Sequence, residues 1–283
     1  MKVLVTGAGG QLGWDVCEVL KAREIKHKGV DLADFDITDS AATHDFIVSY
    51  APDAVIHCSA WTAVDKAEDA PEKVRAVNAG GTGNIAEACK KIGAKMLYIS
   101  TDYVFPGTGD RFYEPDDPTG PLGVYGQTKL EGEWAVREHL DRYFIVRISW
   151  VFGIHGNNFV KTMLKLAETR AEIGVVRDQI GSPTYTADLA PLLCNMVTTE
   201  KYGIYHATNE GVCSWAEFAR EIFRLAGKTV KVNPVSTSEY PTRAARPLNS
   251  RMSKDKLEKM GFARLPTWQD ALDRYIKELE GAK

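Results

Sequence analysis

The stretch VYGQTKLEGE, residues 124–133, sets Tyr125 and Lys129 four positions apart. In a helix that spacing puts a phenol and an ammonium on one face, one turn from each other. Tyr-x-x-x-Lys also arises by chance on surface helices, so the pair reads as chemistry only in company. Two other segments supply it. The apolar run KMLYIST ends at Thr101, and VTGAGGQLG sets Gly7, Gly10 and Gly13 between an apolar run and an amphipathic one. Glycines in that context permit a tight turn, let backbone approach a pyrophosphate, and allow close helix–strand packing. The N-terminus of the following helix then offers free N–H groups to phosphate. The spacing, G-x-x-G-x-x-G, departs slightly from G-x-G-x-x-G. A hydroxyl, a phenol and an ammonium beside a nicotinamide form a ketone-reducing set. A free phenol titrates at about 10, too high to relay protons well at neutral pH. An adjacent cation lowers that value toward the range where general acid catalysis is efficient. Thr101 can hydrogen-bond a substrate oxygen as charge develops on it, or simply cap backbone at a strand end.

Asp31 lies 18 residues beyond Gly13, at the end of the second predicted strand. A carboxylate there can hold the adenosine ribose hydroxyls; its other reading is a loop-capping acid, since Asp34, Asp36 and Asp39 are close by. DFDITD would bring Asp36 and Ile37 to the adenine edge. CSAWTAVD closes the third strand, and Ala60 and Thr62 are small enough to lie beneath a dinucleotide.

The elements that must position these groups follow from periodicity. KVLVT (2–6) reads as a buried strand and QLGWDVCEVLKAR as a helix with Leu12, Val16, Val19 and Leu20 on one stripe. Next come IKHKGVD, a helix around SAATHDFIVSY, and the strand DAVIHCS. One long helix is predicted over 70–92, then the strand 95–101, a helix from 124, and the strand FIVRIS (144–149). Strands alternating with helices at this spacing predict a Rossmann-like, doubly wound parallel α/β sheet over residues 1–152. Residues 153–283 are expected to form a smaller α/β part mainly for substrate, with 174–200 returning to the sheet. That part contains helices at 157–170 and 187–199, then GIYHAT and the helix SWAEFAREIFRLAG.

With 283 residues, 44% hydrophobic and 26% charged, the chain is long enough for a large core and ordinary for a globular protein. A net charge of -3 carries no basic field for nucleic acid or an anionic membrane. Apolar runs such as AVIHCSAW are too short to span a bilayer, and MKVLVTG runs into structure without a signal-peptide cleavage region. Five scattered cysteines and six scattered histidines, without C-x-x-C or H-E-x-x-H, predict reduced thiols, a cytoplasmic protein and no metal site.

The glycine turn, STDYVF, the Tyr-x-x-x-Lys pair, RISWVFG, NNFVKTM and DQIGSPTYTADLA together resemble the extended short-chain dehydrogenase/reductases. Within them they resemble the dTDP-4-dehydrorhamnose reductases, over essentially the whole chain through RPLNSRMSKDKLEKMGF. The resemblance implies reduction of a dTDP-linked 6-deoxy-4-keto sugar with NADPH or NADH by a monomer or homodimer. It places the catalytic groups on Thr101, Tyr125 and Lys129. Cofactor contacts fall on Gly7, Gly10, Gln11, Leu12, Gly13, Asp31, Asp36, Ile37, Ala60, Trp61, Thr62, Tyr125 and Lys129. Sugar contacts fall on Thr101, Asp102, Tyr103, Val104 and Trp150, and Asn158, Lys161 and Arg246 are candidates near the base or diphosphate. Some relatives dimerise around Mg²⁺; Asp15 could hold one such ion, but Ala187 stands where a second acid is expected. Two rivals share the fold: a nucleotide-sugar dehydratase or epimerase, and a non-catalytic dinucleotide-binding subunit. Dehydratases of this kind carry Thr-Asp-Glu where this chain has Thr101, Asp102 and Tyr103, and an intact Thr101, Tyr125 and Lys129 opposes a non-catalytic role.

Overall fold

The structure, a computed structural model, describes residues 1–281. Its first half alternates β1 (Lys2–Thr6), α1 (Gln11–Ala22), β2 (Lys26–Val30), α2 (Ser40–Tyr50) and β3 (Ala54–His57). Then follow α3 (Val64–Ala67), α4 (Pro71–Arg75), α5 (Thr82–Ile92), β4 (Lys95–Thr101), α6 (Val124–His139) and β5 (Tyr143–Ile148). In the second half come β6 (Val151–Phe152), α7 (Phe159–Leu166), β7 (Glu172–Val176), β8 (Ile180–Gly181), β9 (Thr184–Tyr185) and α8 (Thr186–Met196). β10 (Gly203–His206), β11 (Cys213–Ser214), α9 (Trp215–Leu225), β12 (Lys231–Val235), β13 (Asn249–Ser250), α10 (Asp255–Lys259) and α11 (Trp268–Gly281) complete it.

The central sheet has the order β10-β5-β4-β3-β1-β2, and every pairing in it is parallel. A fully parallel sheet must be covered on both faces, which explains why β3 is buried at all four positions. Leu12, Val16 and Leu20 of α1 join α8 on one face, while α2, α5 and α6 cover the other. From β1 the chain steps outward to β2 and then back across to β3, so the order reverses between β1 and β3. Doubly wound sheets bind ligands in the crevice at that reversal, beyond the carboxyl ends of the strands.

Two sequence expectations changed in form. The helix expected over 70–92 is α4, a wider π-helical turn (Ala76–Gly81) and α5. Such turns interrupt helices often at functional sites, and this one points Asn78 inward. Within 174–200, α8 packs on α1, but β7 pairs with β12 outside the central sheet, and the strand that joins β5 is Gly203–His206. A second core, built from Phe152, Tyr185, Phe218, Trp268 and Tyr275, holds α9 and α11 together. Among the described residues no helix is long and apolar enough to cross a membrane.

Candidate active site

The glycine turn follows β1 at the reversal. Gly7 has φ +71°, where a side chain is strained, and a Cβ on it would lie 2.8 Å from the Ser59 nitrogen. A Cβ on Gly13 would lie 2.1 Å from the Gly7 carbonyl oxygen, so only glycine lets α1 begin this close to the turn. The Gly10 amide donates to the Gly7 carbonyl at 3.0 Å. No side chain caps α1, which leaves its first N–H groups to the crevice. Asp31, just beyond β2, accepts from the Gly9 amide at 2.7 Å and so braces the turn. Its loop-capping reading is thus realised, at a position that also borders the crevice.

β4 carries Thr101 to the same edge. Thr101 is buried; its hydroxyl donates to Asp102 Oδ1 at 2.9 Å and accepts from the Tyr103 amide at 3.2 Å. α6 starts at Val124 and runs back along the sheet, placing Tyr125 and Lys129 one turn apart against it. Two glycines permit this approach. A Cβ on Gly126 would lie 2.2 Å from the Tyr103 carbonyl oxygen, and one on Gly132 2.4 Å from the Tyr98 hydroxyl. Burial pushes the Tyr125 phenol up to about 12; the Thr101 hydroxyl pulls it back and the Asp102 carboxylate pushes it further. Burial likewise drives Lys129 down to about 7, opposed by Glu133 and Cys58. Burial, rather than the lowering expected from Lys129, sets the direction of the phenol's shift here. The Lys129 ammonium sits over the Tyr98 ring, 4.1 Å from its centre.

Asp102 is 3% exposed, and burial raises its carboxyl to about 6 against hydrogen bonds from Ser250 and Thr101. Tyr103 meets Tyr125 edge-on, 5.4 Å between ring centres, and burial holds its phenol well above the ordinary range. Trp150 has φ +50°, a strained conformation for an aromatic residue. It is stacked 3.7 Å from Trp215, and Gly181 leaves room for it: a Cβ there would lie 2.9 Å from the Trp150 ring.

These groups surround one cavity of about 740 Å³. Gly7, Gly10, Gln11, Leu12, Gly13, Asp31, Asp36, Ile37, Ala60 and Thr62 line one arm of it, and Thr101, Asp102, Tyr103, Tyr125, Lys129 and Trp150 line the other. The donor set fits a dinucleotide: a side-chain-free cradle with an uncapped helix end for the pyrophosphate, and an exposed carboxylate beyond β2 for the ribose. Other expected residues face elsewhere. Trp61 gives its amide to Asn78 Oδ1 and its ring N–H to the Ala63 carbonyl. Val104 is packed with Phe105 and Leu130. Asn158 caps α7 and spends its amide on Gln11, Gly153 and Tyr275, while the Lys161 ammonium clamps the Ile154 and Gly156 carbonyls. Arg246 reaches Asp65 at 2.6 Å, near Tyr103 rather than on the cavity wall.

Sequence reasoning missed Trp215, Ser149 and Asn157 on the wall, and Asn78 behind it. Asn78 ties Trp61 to Thr128 of α6, fixing the floor of one arm against the helix of the other. Its signal was the NAGG run, which breaks an otherwise regular helix. Among the described residues no cluster of three or more His, Cys, Asp or Glu could hold a metal.

The family model "RmlD substrate binding domain" matches residues 1–280. The chain belongs to this family. The dTDP-4-dehydrorhamnose reductase of Streptomyces griseus is 42% identical over 285 residues, covering 98% of this chain and 94% of that one. The spore coat polysaccharide biosynthesis protein SpsK of Bacillus subtilis is also 42% identical, over 99% of both chains. Among solved structures, the dTDP-4-dehydrorhamnose reductase of Bacillus anthracis in complex with NADP superimposes with a TM-score of 0.95. It is 44% identical and covers 98% of this chain and 99% of its own. The family's fold is thus the one described, and the cleft between the glycine turn and α6 is where this member's chemistry is to be sought.

Proposed function

We propose that the chain reduces the C4 ketone of dTDP-4-dehydro-6-deoxy-L-mannose (dTDP-4-dehydrorhamnose) to dTDP-L-rhamnose, with NADPH or NADH as reductant. The observation that carries this reading is the convergence of Thr101, Tyr125 and Lys129 on the cavity that the glycine turn opens. The bound dinucleotide supplies the hydride. Everything else falls to the chain. Tyr125 gives its phenolic proton to the C4 oxygen as the C=O becomes CH–OH, and recovers a proton from water. Burial keeps that phenol protonated at neutral pH, so the acid is loaded before substrate arrives. Thr101, its hydroxyl turning from Asp102 to the substrate, donates to the same oxygen and stabilises its developing charge. Lys129 orients the dinucleotide ribose and, as an ammonium, favours the phenolate that Tyr125 becomes.

Residues 1–152 bind the dinucleotide and 153–283 close the sugar side, with Trp150 and Trp215 against the substrate. Asp102 and Tyr103 border the sugar, Trp61 and Val104 shape the walls from behind, and Asn158 and Lys161 fix the loop that follows Gly153. Arg246, whose charge is felt at Tyr103, is the candidate for a diphosphate. A dehydratase would need a base at position 103; the phenol there is held protonated and cannot serve. Five unpaired thiols suit the cytoplasm, and the protein acts as a monomer or homodimer. The test is NADPH and NADH oxidation with a panel of nucleotide-linked 4-keto sugars. Turnover of dTDP-4-dehydrorhamnose supports the assignment; turnover of simple ketones alone overturns it.

A further inference from the structure

Lys129 must keep a proton in a place that works against one. Its neighbours come from three elements. On α6 stand Tyr125, one turn before, and Glu133, one turn after; β3 brings His57 and, just past it, Cys58; β4 brings Tyr98. Burial keeps all but one of these uncharged at neutral pH. His57 is driven down to about 3, and the Cys58 thiol and the Tyr98 and Tyr125 phenols are pushed up. Glu133 alone brings a negative charge.

Glu133 is itself 1% exposed, and every bond it makes leads to another catalytic element. Oε1 accepts from Ser100 Oγ at 2.6 Å and from Arg147 Nε at 2.8 Å, and Oε2 accepts from Arg147 Nη2 at 2.7 Å. Ser100 precedes Thr101 on β4. Arg147 lies on β5, which leads to Trp150, and is 2% exposed. Its remaining arm donates to the Pro115 carbonyl at 3.0 Å, and its guanidinium lies over the Phe105 ring. A fork-on-fork pair this deep is geometrically exacting. It also adds little stability over apolar groups of the same volume, so its physical rationale lies in what it positions.

We propose that Glu133 is a positioning residue for the reduction: with Arg147 and Ser100 it locks the catalytic face of α6 to the strand bearing Thr101, and its charge keeps Lys129 an ammonium that can hold the dinucleotide. The inference rests on Lys129 acting as proposed above. It is tested by the pH dependence of NADPH Kd and of kcat/KM in wild type, Glu133→Gln, the double variant Glu133→Gln/Arg147→Met, and Lys129→Ala.

In wild type, affinity falls on the alkaline side as Lys129 loses its proton. Glu133→Gln removes the negative charge and leaves Arg147 positive nearby, both of which favour neutral lysine. The alkaline limb should move to lower pH by about one unit, about tenfold in Kd at a fixed pH above it. The double variant removes both charges at similar volume and guards against misfolding; its limb should lie between those of Glu133→Gln and wild type. Limbs that coincide in all three folded proteins, with only thermal stability changed, overturn the proposal. Lys129→Ala separates that failure from a failure of the underlying reading. If it abolishes the limb while Glu133→Gln leaves it unmoved, Glu133 is only structural; if it too leaves the limb and Kd unchanged, Lys129 is not the ribose-binding cation.

Discussion

Replacing Gly126 with alanine should cripple turnover while barely disturbing the fold. The added Cβ would sit 2.2 Å from the Tyr103 carbonyl oxygen and 3.1 Å from Pro121 Cβ. Carbon and oxygen meet comfortably at about 3.3 Å or more, so the first turn of α6 and the turn after Thr101 must part by about 1 Å. Overpacking of this kind costs about 1–3 kcal/mol, and the gain in helix propensity over glycine offsets up to about 1 kcal/mol of it. The net loss, about 0–3 kcal/mol, should leave the protein folded. The displacement falls on Tyr125, the adjoining residue, which faces Tyr103 across 5.4 Å. A misplacement of that size costs about 10²-fold in rate. The assay is NADPH consumption at saturating sugar nucleotide, with urea unfolding alongside. Gly83→Ala is the control: on α5 its Cβ would meet Ala135 Cβ at 3.6 Å, an ordinary contact. It should gain about 0.4–1 kcal/mol and keep wild-type kcat. A Gly126→Ala enzyme with wild-type kcat would refute the claim that close approach of α6 to Tyr103 sets the acid's position.

Tyr125→Phe should lose about 10²–10⁴-fold in kcat with dinucleotide Kd near wild type, because its proton is needed only as the alkoxide forms; a variant keeping more than about a tenth of the rate would remove Tyr125 as the acid. Asp31→Ala should weaken NADH more than NADPH, since a carboxylate there favours a free 2′-hydroxyl; equal losses in the two Kd values would leave it only the brace of the Gly9 amide. Asp102 goes from 3.8 to about 6 on folding. A raised acid contributes most stability below its unfolded value and loses it as pH rises through the folded one, on the order of 3 kcal/mol in all. Asp102→Asn should therefore gain stability over wild type as pH climbs from about 4 to about 6, and urea midpoints that stay parallel across that window would contradict the buried charge.

What the sequence made legible was local. KVLVT, the glycine turn and the Leu12, Val16, Leu20 stripe specify β1 and α1 within one window, and each glycine's role follows from backbone that must pass close by. Thr101 could be read because strand ends share an edge in a parallel sheet. Groups whose meaning lies in distant partners were hidden. Glu133 looks like a solvated helix charge until Arg147 and Ser100 are brought beside it. Trp215 looked like one more apolar residue in a strongly amphipathic helix, and only its stacking on Trp150 sets it at the wall. Asn158 and Lys161 are the converse case. Their donors seemed free for a nucleotide, yet an exposed-looking polar side chain next to a tight loop often serves the loop's own carbonyls.

The most direct test of the account is to follow the hydride. Reduced dinucleotide deuterated on the transferable position of the nicotinamide, incubated with enzyme and dTDP-4-dehydrorhamnose, should give dTDP-L-rhamnose carrying deuterium at C4 of the sugar, located by NMR. Deuterium at another sugar carbon, or dinucleotide left unoxidised while the sugar nucleotide is consumed, would contradict the proposed reduction.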